Sequence, residues 1–225
     1  MGRLGYTCFL ISPRLPASIV ARLVVESNAQ CLFYAPEYKA LIQEAGVTAL
    51  IPIRCLFPRP AYENRDVMSS RFSRDVSPIQ EQNRRYIMLH SSGSTGIPKP
   101  VSYTNKRLLM ICLAAPSLIA FQSLPFSHAH GLVTISQAIW TRKTIYLFNS
   151  HVPQINSKLC LAIEAAKPEI VWSVPYVLKL LAETTRGIQS LKQCKVVCSS
   201  GSRCPDELGD LLTAKGVFVG CLFGS

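Results

Sequence analysis

Tyr86-Ile87-Met88-Leu89-His90-Ser91-Ser92-Gly93-Ser94-Thr95-Gly96-Ile97-Pro98-Lys99-Pro100-Val101 is the stretch on which the reading of this chain turns. Its apolar start predicts a buried strand, and the Ser/Gly run that follows predicts a turn. Gly93 and Gly96 permit a backbone nest whose N–H groups converge on an anion. The hydroxyls of Ser91, Ser92, Ser94 and Thr95 add donors, and Lys99 adds a positive charge that can follow a polyphosphate. The same composition also suits a plain turn between two strands, but the flanking strands and the placed lysine favour a phosphate cradle. It is not a Walker A loop, because Pro98 separates the glycines from Lys99 and Pro100 follows it. No G-x-G-x-x-G follows a strand, which excludes the dinucleotide fingerprint.

Outward from this turn, strands and helices alternate. Thr7 to Ser12 predicts a strand, Pro16 opens a helix through Glu26, and Cys31 to Tyr34 predicts a second strand. Pro36 opens a second helix to Ala45, Gly46 stops it, and Val47 to Ile53 predicts a third strand. The stretch 54–84, rich in Arg, Ser and Pro, predicts a long basic surface loop. Beyond the cradle, Val101 to Thr104 predicts a strand and Asn105 caps a helix reaching Leu113 or further. Later strands are expected at Thr144 to Phe148, Ile170 to Ser173, Lys195 to Ser199 and Val217 to Leu222. Helices are expected at Gln154 to Ala166, Val174 to Glu183 and Asp206 to Ala214. Successive β-α units predict an α/β fold of mostly parallel sheets covered by helices.

Composition is consistent with this. At 225 residues and 48% hydrophobic the chain can bury roughly 70% of its unfolded surface, so its core needs neither disulfides nor a metal. The net charge of +11 is spread along the chain, with its densest stretch from Arg54 to Arg85. That stretch lacks interleaved aromatics and unbroken basic runs, so no specific nucleic-acid partner is expected, and anion attraction or a solvated loop remain. Nine cysteines, mostly in apolar runs, behave as small hydrophobes and suit a reducing compartment. Cys194, Cys198 and Cys204 have no C-x2-C pair or nearby histidine, so no metal site is expected. Leu108 to Phe121, the longest apolar stretch, contains Pro116 and is too short to span a membrane, and Met1 to Ile11 makes no signal peptide. The expected location is cytoplasmic, with no membrane partner.

The cradle resembles the phosphate-loop signature of the adenylate-forming, AMP-binding enzymes: acyl-CoA synthetases, luciferases and the adenylation domains of non-ribosomal peptide synthetases. His90-Ser91 before it and Pro100-Val101 after it are similar to a fungal, peptide-synthetase-like branch, often fused to a carrier domain and a reductase. Gly5-Tyr6-Thr7 through Ile11-Ser12-Pro13-Arg14 is similar to the family's early strand. Leu124-Pro125-Phe126-Ser127-His128-Ala129-His130-Gly131 resembles the P-x-x-H-x-x-G segment beside the acyl pocket, with His128 on the motif histidine. Ser199-Ser200-Gly201-Ser202-Arg203-Cys204-Pro205 resembles the turn along the adenine, and Leu222-Phe223-Gly224-Ser225 the start of the Y-G-x-T-E motif.

The resemblance implies ATP-dependent activation of a small carboxylic acid as an acyl-adenylate, in fungal secondary-metabolite biosynthesis. It implies Lys99 and His128 as catalytic residues. Ser91, Ser92, Gly93, Ser94, Thr95, Gly96, Lys99, Gly201, Ser202, Phe223, Gly224 and Ser225 are implied to bind ATP, with the Phe223 ring on the adenine. The family also uses Mg²⁺, a ribose-binding Asp and a lysine on a small C-terminal domain. Their motifs fall beyond Ser225, so the expectation is a partial adenylation core over 1–225 with no metal ligand of its own. A carrier domain or a complementing polypeptide is an implied partner. The alternative expectation is a non-catalytic remnant or interaction protein of the same family.

Overall fold

A computed structural model of the chain describes residues 5–47, 50–56, 76–91, 93, 96–149 and 152–222. The chain divides into two compact units, 1–106 and 107–225. In the first, β1 (Cys8–Phe9), β4 (Arg85–His90) and β5 (Pro100–Thr104) form a sheet in that order. β1 runs parallel to β4, and β5 returns antiparallel to it. A parallel pair joins β2 (Leu32–Tyr34) and β3 (Ile53–Cys55). Helices α1 (Ala17–Glu26), α2 (Lys39–Glu44) and α3 (Pro78–Asn83) complete the unit. Val20 and Val24 of α1, Ile42 of α2 and Val47 make its apolar centre, with Leu32 and Ile53 against them.

Two expectations in this unit are corrected. The third strand is Ile53–Cys55 and does not begin at Val47. The Val47 carbonyl instead accepts from the N–H groups of Leu50 and Ile51, which closes a turn. The basic stretch is not wholly loop: Arg54 and Cys55 belong to β3, and Pro78–Asn83 is a helix. The sequence supplies the reason, since Ser77-Pro78-Ile79-Gln80 is a complete capping box with proline in the first turn. Residues 57–75 lie outside the described residues, as do Ser92, Ser94, Thr95, Phe223, Gly224 and Ser225.

Helix α4 (Asn105–Leu113) spans the boundary between the units. The second unit is a parallel five-stranded sheet in the order β10-β9-β8-β6-β7. Its strands are β6 (Ala120–Gln122), β7 (Ile145–Leu147), β8 (Ile170–Ser173), β9 (Val196–Ser199) and β10 (Val219–Cys221). Alternation along each strand feeds two faces. Phe121, Val171 and Val197 pack with α6 (Asn156–Ala166), α7 (Pro175–Ala182), α8 (Thr185–Lys192) and α9 (Asp206–Ala214), through Leu159, Ile163, Leu178, Leu181, Leu191 and Leu212. Ala120, Ile170, Trp172 and Cys198 face the other way. Helix α5 (Ala129–Thr141) meets β6 through a polar contact, Gln122 with Thr134. Neither β6, α5 nor α8 is expected from the sequence alone. Among the described residues, no helix is long and apolar enough to cross a membrane.

Candidate functional site

The cradle begins where β4 ends. His90 is the last residue of β4, and Ser91 is held at three points. Its N–H donates to the Lys99 carbonyl at 2.9 Å. Its hydroxyl oxygen accepts from the Lys99 N–H at 3.0 Å. Its carbonyl lies 3.0 Å from His90 Nδ1. The two ends of the loop are thereby tied, and the Ser91 oxygen is engaged in closing it.

Inside, the Gly96 N–H donates to the Gly93 carbonyl at 2.9 Å, and Gly93 has φ 75°. A Cβ on Gly93 would stand 2.7 Å from the Gly96 carbonyl oxygen and 3.0 Å from the Pro98 ring, so only glycine fits. Pro98 is buried and Lys99 exposed. The structure therefore brings Ser91, Gly93, Gly96 and Lys99 together in one closed loop. What it offers is a closed glycine turn, with Gly93 and Gly96 at positive φ and the exposed Lys99 charge at its rim.

The second unit presents its candidate residues at the carboxyl ends of parallel strands, the edge where open α/β sheets bind ligands. Beyond β6, the chain turns through Leu124 to His128 into α5. Gly131 makes this turn possible, because a Cβ there would stand 2.3 Å from the Pro125 carbonyl oxygen. That contact gives the motif glycine a physical reason. His128 occupies the N-cap position of α5 with extended backbone, and its side chain is exposed.

The neighbouring histidine differs. Both ring nitrogens of His130 are buried without a hydrogen-bond partner. Its ring stands edge-on to Trp172, with centroids 5.5 Å apart. Burial lowers its pKa to about 4, so the imidazole is neutral at physiological pH. An orphaned buried donor and acceptor are costly to leave unpaired and mark a place where a polar ligand atom gains most. Sequence reasoning placed the pocket role on His128. Both histidines stand in an apolar stretch of sequence, and only the packing on Trp172 reveals that the His130 nitrogens are buried. Gln122, 1% exposed, was missed as well. It donates to the Gly131 carbonyl at 3.2 Å and accepts from the Thr134 hydroxyl, which fixes the start of α5 on β6.

Beyond β9, Ser200 to Pro205 turn into α9, with Gly201 at φ 87° and Ser202 exposed. The Ser200 N–H donates to the Ser173 carbonyl at 3.1 Å, which anchors the turn on β8. Arg203 pairs with Asp206 at 2.8 Å on the surface. Burial raises the thiol pKa of Cys204, and that of Cys194 and Cys198 to about 11. All three stay protonated thiols, poor nucleophiles and poor metal ligands. Among the described residues, no three His, Cys, Asp or Glu side chains converge to hold a metal ion.

Comparison with known proteins agrees with the fold. The profile of the AMP-binding enzymes matches residues 2–225. An adenylate-forming reductase of Aspergillus terreus is 27% identical over 238 residues, covering 99% of this chain and 22% of that protein. The inhibitor-bound N-terminal domain of FACL13 from Mycobacterium tuberculosis superposes with a TM-score of 0.81 at 17% identity, covering 99% of this chain and 57% of that one. ATP-bound MatB from Rhodopseudomonas palustris gives 0.78 at 14% identity, over 97% of this chain and 45% of that one. The chain thus spans about a fifth (22%) of the curated relative's length. With a fold, a closed glycine loop and a profile match over nearly its whole length, this chain belongs to the AMP-binding enzyme family.

Proposed function

We propose that the chain takes part in ATP-dependent activation of a small carboxylic acid as an acyl-adenylate, within a fungal peptide-synthetase-like enzyme of secondary metabolism. The observation that carries this reading is the closed Ser91–Lys99 loop at the end of β4. In this reaction a carboxylate oxygen forms a bond to the α-phosphorus while the bond to the departing pyrophosphate breaks. Catalysis is mostly positioning and charge neutralisation.

The loop binds the β- and γ-phosphates, with Lys99 offsetting their charge as they leave. Ser92, Ser94 and Thr95 supply further donors in this reading. Gly201 and Ser202 border the adenine, and Phe223-Gly224-Ser225 continue that border with the Phe223 ring against the base. The turn from His128 to Gly131 borders the acid, and the unpaired His130 nitrogens offer it a hydrogen bond. The family's Mg²⁺ is assigned to none of the described residues in this reading. A carrier domain or a complementing polypeptide is the partner this reading implies, in the cytoplasm.

Carboxylate-dependent exchange of pyrophosphate into ATP is the direct assay, run on the chain with a panel of aryl and alkyl acids. Loss of a phosphate-neutralising contact costs roughly 10² to 10³ in rate, so Lys99→Ala should abolish the signal. Exchange that survives Lys99→Ala undiminished contradicts the proposal.

A further inference from the structure

His90 immediately precedes the phosphate loop, and the loop's first peptide hangs on it. The imidazole is 6% exposed and accepts the Ser12 N–H on Nε2 at 3.2 Å, 78 residues away in sequence. An accepting Nε2 leaves the ring proton on Nδ1 in the neutral form. Nδ1 faces the Ser91 carbonyl at 3.0 Å and so donates to it. Ser12 is itself fixed: it is 7% exposed, its hydroxyl accepts from the Arg14 N–H at 3.3 Å, and its carbonyl accepts from the Leu15 N–H at 3.3 Å.

We infer that His90 is a positioning residue for the phosphate loop: the Ser12 N–H on Nε2 fixes the ring proton on Nδ1, and that N–H clamps the Ser91 carbonyl. This inference rests on the phosphate-binding reading of the loop. Among the described residues, three constraints meet at Ser91, two from Lys99 and one from His90, and the His90 bond is the one that comes from outside the loop. Without it, the Ser91 carbonyl loses its buried donor, and the peptide that orients the loop is free to rotate. Donors that must reorganise when phosphate arrives bind it less well than donors already in place.

The test is calorimetric titration of the whole chain with inorganic pyrophosphate, beside its thermal midpoint. His90→Asn places an amide N–H near the Nδ1 position and keeps the bond to Ser91. His90→Gln places a carbonyl near the Nε2 position and keeps only the bond to Ser12. The expected result is affinity close to wild type for His90→Asn and about tenfold weaker for His90→Gln, at similar midpoints. A purely packing role gives no such split between the two amides. His90→Gln binding as tightly as wild type overturns this inference alone, whereas a wild-type chain that binds no pyrophosphate overturns the phosphate-loop reading itself. Nitrogen NMR of the wild-type imidazole needs no variant: a proton on Nδ1 supports the clamp, and a proton on Nε2 overturns it.

Discussion

Burial keeps the His130 imidazole neutral with a pKa of about 4, whereas the unfolded chain takes up that proton near 6.5. Between those values the unfolded state binds a proton that the folded state refuses, so stability falls as pH drops from about 6.5 to about 4. Above this window the group contributes nothing to the slope, and below it no further loss arises. The total effect is on the order of 3 kcal/mol at most. His130→Phe keeps an edge contact to Trp172 and removes the titration. Its urea midpoint should therefore change less than the wild type's between about pH 7.5 and about pH 4.5. An equal change in both proteins contradicts the assignment. Gly93→Ala tests the loop at the same scale. Its Cβ meets the Gly96 carbonyl oxygen at 2.7 Å, so pyrophosphate binding should weaken while the midpoint of a loop variant moves little. Tight pyrophosphate binding by Gly93→Ala would show that the closed conformation is not the binding one. The residues of this loop were legible because glycine, hydroxyl and lysine are chemically conspicuous. The roles of His90, Gln122 and His130 were not, because burial and partners up to 78 residues away along the chain define them.

Helix α8 shows what packing demands of an element. Thr184 caps it by accepting from the Gly187 N–H at 3.0 Å. Gly187 lies so close to α7 that a Cβ would stand 2.0 Å from the Leu181 carbonyl oxygen. Thr184→Ala should cost about 1 kcal/mol. Gly187→Ala should cost more, roughly 1–3 kcal/mol from overpacking. Equal or reversed losses in denaturant melts would mean that α7 and α8 are not in such close contact. The same helix was invisible in the sequence because Thr185 to Lys192 is short, largely polar and holds a glycine, with Ile188 and Leu191 its only large apolar residues. Strands β8 and β9 were legible from their Val and Ile runs, which both faces of a parallel sheet bury. β6 was hidden, since Ala120-Phe121-Gln122 closes a longer apolar run and ends on a polar residue whose partners are on α5. α5 itself begins with the turn motif and carries Gly131 and Thr134 on its buried side, so its helical period is faint. The capping box of α3 was readable, and the surrounding Arg, Ser and Pro obscured it.

At the scale of the molecule, each unit places its candidate residues where strands end. The first does so at His90, where β4 passes into the closed loop. The second does so at the carboxyl edge of its parallel sheet, beyond Gln122 and Ser199. The α/β class was legible from the alternation of strand and helix. The division into separate sheets was not, because pairing between strands distant in sequence leaves no local mark. The central claim is that the Ser91–Lys99 loop grips the phosphates of ATP, and calorimetric titration of the chain with ATP tests it most directly. Saturable binding that Lys99→Ala weakens by at least about tenfold, with the fold intact by circular dichroism, is the predicted result. Equal ATP affinity in the wild type and Lys99→Ala, or none in either, would contradict it.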